Sequence, residues 1–192
     1  MNEEKQNYNP EFFLRKQVES MKSEQLIWDE ERAKVDEITD NVGLNIDEKI
    51  KDAVTAFRIR GFITSQSCEG HIKGDENGAS FPWVEVYAPA PTGWKEAKDE
   101  KKKELEREWI IKNLEQQQKM MGYLSEFYKD RQTPFDARLT FDRIGAFDGF
   151  RVQSFGARMM RLLAPEEQVR KHQLYRKEMN DFTNFLKSRE GV

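Results

Sequence analysis

Cysteine and histidine are nearly absent: Cys68 is the lone cysteine, and His71 and His172 are the two histidines among 192 residues. A single cysteine excludes an internal disulfide framework, so stability does not depend on an oxidising compartment. It also disfavours a structural zinc site of the usual four-ligand kind, because only Cys68, His71 and the distant His172 offer sulfur or imidazole. A site built from Cys68, His71 and carboxylates would be an unusual one, and the sequence reading assigns no metal. No run approaches the roughly eighteen apolar residues of a membrane span, and the opening MNEEKQNYNPEFF lacks the basic start and apolar stretch of a secretory signal. The expectation is a cytoplasmic protein with no membrane partner. An excess of one charge is missing too: 32 basic and 35 acidic residues leave a formal charge of -3. That balance gives no overall footprint for nucleic acid, while a local basic face stays open.

What the chain does have is charge and aromatic rings. Charged residues make up 35% of it, with thirteen Phe and four Trp, and the mean hydropathy is -0.89. This combination fits long, solvated amphipathic helices around a modest aromatic core rather than disorder. The length suits a single domain spanning residues 1–192, with residues 1–42 as a candidate helical extension.

Asn9 and Pro10 suit the start of a first helix running to about Ile38, with Leu14, Val18, Met21, Trp28 and Val35 as a seam interrupted by Gln25 and Arg32. Asn45 and Glu48 have the spacing of a capping box for a second helix, in which Ile46, Ile50, Ala53, Val54 and Phe57 form the buried stripe and Arg60–Gly61 the end. The period then changes. FITSQS and PWVEVYA read as strands joined by the polar loop KGDENGAS. A long helix follows, from about Lys95 to Lys129, with Ile110, Leu114, Gln117, Met121, Leu124 and Tyr128 as its expected seam; the charge run KEAKDEKKKELEREW is its solvated face. ARLTFDRI and GFRVQSF form a hairpin, and Pro165 opens a last helix with Tyr175, Met179, Phe182 and Leu186 on its apolar side. Two strand pairs separated by a helix predict an α+β fold: a small antiparallel sheet of about four strands packed by helices, with long N-terminal and central helices.

The segment GFITSQSCEGH carries the candidate chemistry. Cys68 and His71 share one turn, Gly70 lets the backbone bend between them, and Glu69 stands ready to orient the imidazole or to act as an acid or base. In a ligand-binding reading, Ser67, the backbone amides around Gly70, and His71 hold a polar or anionic group. The plain structural reading makes Cys68 a small buried hydrophobe and His71 a partner of a backbone carbonyl. His172, among charged residues of the last helix, is expected to face solvent. Trp83, after Pro82 at the start of the second strand, is expected either beside the turn that carries His71 or, as is commoner for an aromatic there, in the core. Arg138, Arg143, Arg151, Arg158 and Arg161 interleave with Phe141, Phe147, Phe150 and Phe155, as an anion or nucleic-acid surface would, or simply as strands with a solvent face and a core face.

The pattern Gly61, Phe62, Thr64, Ser67, Cys68, Glu69, Gly70, His71, followed by Pro82, Trp83 and Val84, resembles a motif of small bacterial and phage proteins of uncharacterised function. Over about twenty residues it is also distantly similar to the Ser-x-Cys-Ser-Gly-Arg segment and Trp-led strand of the wybutosine-synthesis methyltransferases that act on tRNA. Those enzymes have Ser at the position of Glu69 and Arg at that of His71, so the resemblance implies a site location and an α+β fold and transfers no reaction. No Gly-rich loop of the Rossmann type is present, so no cofactor is assigned.

Three functions stay open from the sequence. The first is a ligand-binding protein with a polar strand–turn site at Ser67–His71, joined by Trp83, Arg143 and Arg151, for a nucleotide or other anion. The second is an enzyme using Cys68, His71 and Glu69. The third is a helical interaction protein, including a homo-oligomer, in which the SCEGH turn is purely structural.

Overall fold

The computed structural model describes residues 10–39, 43–72 and 79–189, with side chains from residue 22 onward. Helix α1 (Pro10–Asp36) leads to a 3-10 turn (Glu48–Ile50) that runs straight into α2 (Lys51–Ile59). Strands β1 (Thr64–Cys68) and β2 (Trp83–Val86), helix α3 (Asp99–Phe127), strands β3 (Leu139–Ile144) and β4 (Gly149–Ser154), and helix α4 (Pro165–Lys187) complete the expected order. The sheet is antiparallel throughout, in the order β1-β2-β4-β3. This is the α+β class anticipated above.

Alternation on the central strands sorts the residues. Val84, Val86, Phe150 and Val152 turn inward and are fully buried, packed with Val54 and Phe57 of α2, Met120 and Phe127 of α3, and Met179 and Phe182 of α4. Phe182 meets Phe57 edge-on at 6.0 Å and Phe127 at 5.1 Å, so one ring on α4 ties three helices together. At the other end, α1 places Trp28 and Val35 in the same core and is fastened to the 3-10 turn by an ion pair of Arg32 with Glu48, and to α2 by pairs of Arg32 with Asp52 and of Arg58 with Glu31. Leu14, Val18 and Met21 lie outside the residues whose side chains are described.

Helix α2 ends as its sequence requires. Gly61 takes φ +73°, its N–H reaches the Arg58 carbonyl at 2.8 Å, and Phe62 N–H reaches the Phe57 carbonyl at 3.0 Å. This is the paired bonding of a Schellman motif. Its start differs from expectation. Asn45 forms an isolated bridge with Thr39, and the residue before the first turn is Asp47, whose side chain makes no bond to its own helix. The reason lies in the strand–turn segment described below.

Helix α3 also differs. Leu114 and Met121, placed in the seam by their spacing, are 40% and 56% exposed. The buried face carries the expected Gln117 and Leu124 together with Leu105, Trp109, Asn113, Gln116, Met120 and Phe127. Its three amides are buried because they complete the backbone bonding of the sheet's margins. Asn113 accepts from Ala88 N–H at 2.8 Å and donates to the Phe147 carbonyl at 2.8 Å. Gln116 accepts from Ile63 N–H at 2.8 Å, and Gln117 donates to the Asp148 carbonyl at 2.7 Å. These backbone groups have no ladder partner, and the side-chain amides supply one. Among the described residues, no helix is long and apolar enough to cross a membrane.

Candidate metal-binding site

Strand β1 carries a register irregularity between Thr64 and Ser67, after which Ser67 pairs with Val84 and Cys68 with Trp83. The chain then turns sharply at Gly70, where φ is +86° and a Cβ would fall 2.8 Å from the Phe81 carbonyl carbon and 2.8 Å from His172 Nε2. Only glycine fits both the backbone conformation and the space.

The turn docks on the start of α2 through an exchange of carboxylates and amides. Asp47 Oδ2 accepts the Glu69 N–H at 3.0 Å, while the Glu69 carboxylate accepts the Lys49 N–H at 3.0 Å. Glu69 therefore caps the helix from twenty residues away, its charge set against the positive end of the helix dipole. Asp47, released from capping its own helix, faces the turn. His71 Nε2 lies 3.2 Å from Asp47 Oδ2. Asp47 Oδ, Cys68 Sγ and a His71 ring nitrogen all lie within 4.8 Å of one another, in a half-buried to buried setting.

This arrangement changes the roles assigned from the sequence. Asp47, not Glu69, is the carboxylate against the imidazole. Cys68 is buried, accepts the Gly70 N–H at 3.4 Å, and its thiol is pushed above the ordinary range by burial, with the Asp47 and Glu69 charges adding to the effect. With burial and the Asp47 and Glu69 charges all raising its pKa, the metal-free thiol is a poor nucleophile at neutral pH. The amides that an anion would use are spent: Glu69 N–H on Asp47, Gly70 N–H on Cys68, and His71 N–H on the Ala79 carbonyl at 2.8 Å.

His172 is 7% exposed rather than facing solvent. Its Nε2 lies 3.0 Å from the Gly70 carbonyl oxygen, and burial, helped by Arg176, holds the imidazole below its usual range. The neutral ring therefore donates Nε2–H to Gly70. Trp83, the cross-strand partner of Cys68, is 9% exposed. Arg151 lies over its ring at 3.9 Å and pairs with Glu85 at 3.2 Å, while the Trp83 indole N–H has no acceptor among the described residues. Ser67, beside Cys68 on β1, falls on the opposite face by strand alternation. Arg143 sits on β3, the far edge strand, paired with Asp148 at 3.6 Å. Neither joins the Asp47–Cys68–His71 group. Of the remaining arginines, Arg138 stacks on Tyr128 and Arg158 pairs with Asp142.

The sequence reading missed Asp47 because Asn45 and Glu48 already satisfied the capping pattern. A signal was available in the run Asp47-Glu48 ahead of the helix, where one carboxylate more than a cap needs is present. The resemblances drawn from the SCEGH and PWV segments rest on those residues alone. No protein-family model matches the chain, and comparison with curated proteins and with solved structures finds no match.

Proposed function

We propose that this is a ligand-binding α+β protein whose ligand is a divalent transition-metal ion, held by Asp47, Cys68 and His71. The observation that carries the reading is the convergence of one oxygen, one sulfur and one imidazole nitrogen donor within 4.8 Å. A tetrahedral ion with bonds of about 2.0–2.3 Å sets its ligand atoms roughly 3.3–3.8 Å apart, so the group needs to contract by only about 1 Å. Thiolate and imidazole together favour zinc and its neighbours over magnesium or calcium. The surroundings point the same way: Asp47 and Glu69 make the thiol's environment negative, which supports a cation and opposes the nucleotide or anion considered from the sequence.

The existing bonds suit this role. The Glu69 N–H would go on orienting the Asp47 carboxylate after the His71 contact is exchanged for metal. Three protein ligands leave a tetrahedral ion one position for a water or a ligand oxygen, the arrangement typical of reactive rather than purely structural zinc. Cobalt(II) titration tests the proposal. The wild-type chain is expected to take up one equivalent with a sulfur-to-cobalt charge-transfer band that zinc abolishes; Cys68→Ser should remove the band, and Asp47→Asn should weaken binding. Absence of saturable cobalt uptake by the wild type overturns the proposal.

A further inference from the structure

The turn that carries Cys68 and His71 is held from two sides. Asp47 and Glu69 fasten it to the start of α2. On the other side, besides the backbone bond from His71 to Ala79, it is met by the side chain of His172, which comes from α4, 102 residues further along the chain. The His172 bond ends on the carbonyl of Gly70, the residue lying between the sulfur and the imidazole in sequence. The contact is buried, and Gly70 leaves no slack: even a methyl group there would collide with His172 Nε2 at 2.8 Å. A neutral imidazole on the protein's second histidine is thus used to fix the peptide that sets the spacing of two of the three metal donors.

We infer that His172 is a positioning residue of the metal site, which sets metal affinity from α4 without touching the ion. The inference rests on the metal-binding reading of Asp47, Cys68 and His71. Groups that hold metal ligands in place change affinity by about 10–100-fold when removed, because the ligands must then be ordered at the moment of binding. By linkage the effect is reciprocal: if His172 raises metal affinity by a given factor, bound metal holds α4 against the turn by the same factor. A side chain that only fills space in the core predicts neither result.

Zinc affinity measured by competition with a chromophoric chelator, and amide exchange followed with and without zinc, test this together. His172→Leu, which keeps the bulk and removes the donor, is expected to lose about 10–100-fold in zinc affinity. His172→Gln, whose side-chain amide reaches to a similar distance, should recover most of that loss. In the wild type, zinc should slow exchange in the first half of α4, and in His172→Leu it should not. Thr183→Val, which removes a buried hydroxyl bonded to the Met179 carbonyl on the same helix, should lower stability and leave zinc affinity unchanged. If the wild type binds no zinc, the metal reading itself fails. If the wild type binds zinc and His172→Leu binds it equally well, only the role of His172 fails. Should His172→Leu not fold, unchanged exchange in α4 of the wild type on adding zinc overturns the inference by itself.

Discussion

In Gly70→Ala the new methyl carbon has to enter a space closed by backbone. It would lie 2.8 Å from the Phe81 carbonyl carbon and 3.0 Å from its Cα, as well as 2.8 Å from His172 Nε2. Two costs add. Holding alanine in the left-handed region costs about 1–2 kcal/mol, and forcing a methyl against backbone that cannot rotate aside costs about 1–3 kcal/mol more. The sum is a loss of about 2–5 kcal/mol in unfolding free energy. Gly93→Ala separates the two costs, because Gly93 has a similar φ of +78° with nothing within 4 Å of its would-be Cβ. That variant should lose only the backbone part, about 1–2 kcal/mol. Urea unfolding of both variants, with the slope checked against wild type, gives the comparison. If Gly70→Ala and Gly93→Ala agree to within about 0.5 kcal/mol, the close approach of β1's turn to Phe81 and His172 is wrong.

Two further outcomes follow from the buried groups. The Cys68 thiol is pushed above its ordinary range, so it stays protonated through neutral pH and must release its proton to bind metal. Zinc affinity should therefore rise about tenfold per pH unit between about pH 7 and 8, and a flat profile from calorimetry in buffers of different ionisation enthalpy would remove Cys68 from the ligand set. Asn113→Leu makes α3 more apolar yet leaves the Ala88 N–H and the Phe147 carbonyl without their partner. It should destabilise the protein by about 2–4 kcal/mol in urea unfolding, and a neutral or stabilising result would contradict the bonding described.

Element order and type were legible because several boundaries have a local cause. Pro10 and Pro165 open helices, Gly61 closes one, and the apolar period changes from helical to alternating after Phe62. The buried side of α3 was legible only in part: the spacing placed Gln117 and Leu124 correctly, but it selected Leu114 and Met121 where the inward face uses the amides of Asn113 and Gln116. Of the candidate site, Gly70 marked the turn, and Cys68 and His71 were singled out with no metal assigned to them, but Asp47 and His172 reach the turn only through tertiary contacts with partners 24 and 102 residues away. Nothing in local composition distinguishes a histidine on a charged helix that faces water from one that bonds a distant carbonyl. Glu69 is the converse case: its position suggested chemistry, and the fold uses its charge to finish a helix.

The amide latches of α3 also act as a gauge of distance and angle. Apolar side chains tolerate a helix sliding by a fraction of a turn, whereas a shift of a single residue moves an α-helix about 1.5 Å and rotates it by about 100°, which would break together the bonds that Asn113, Gln116 and Gln117 make to the sheet's margins. Those bonds end at Ile63 ahead of β1, Ala88 beyond β2, and Phe147 and Asp148 in the β3–β4 turn. A single helix thus measures the separation of three loops that share no contiguous sequence. Changing the length of any one of them by a residue would be felt at the other two.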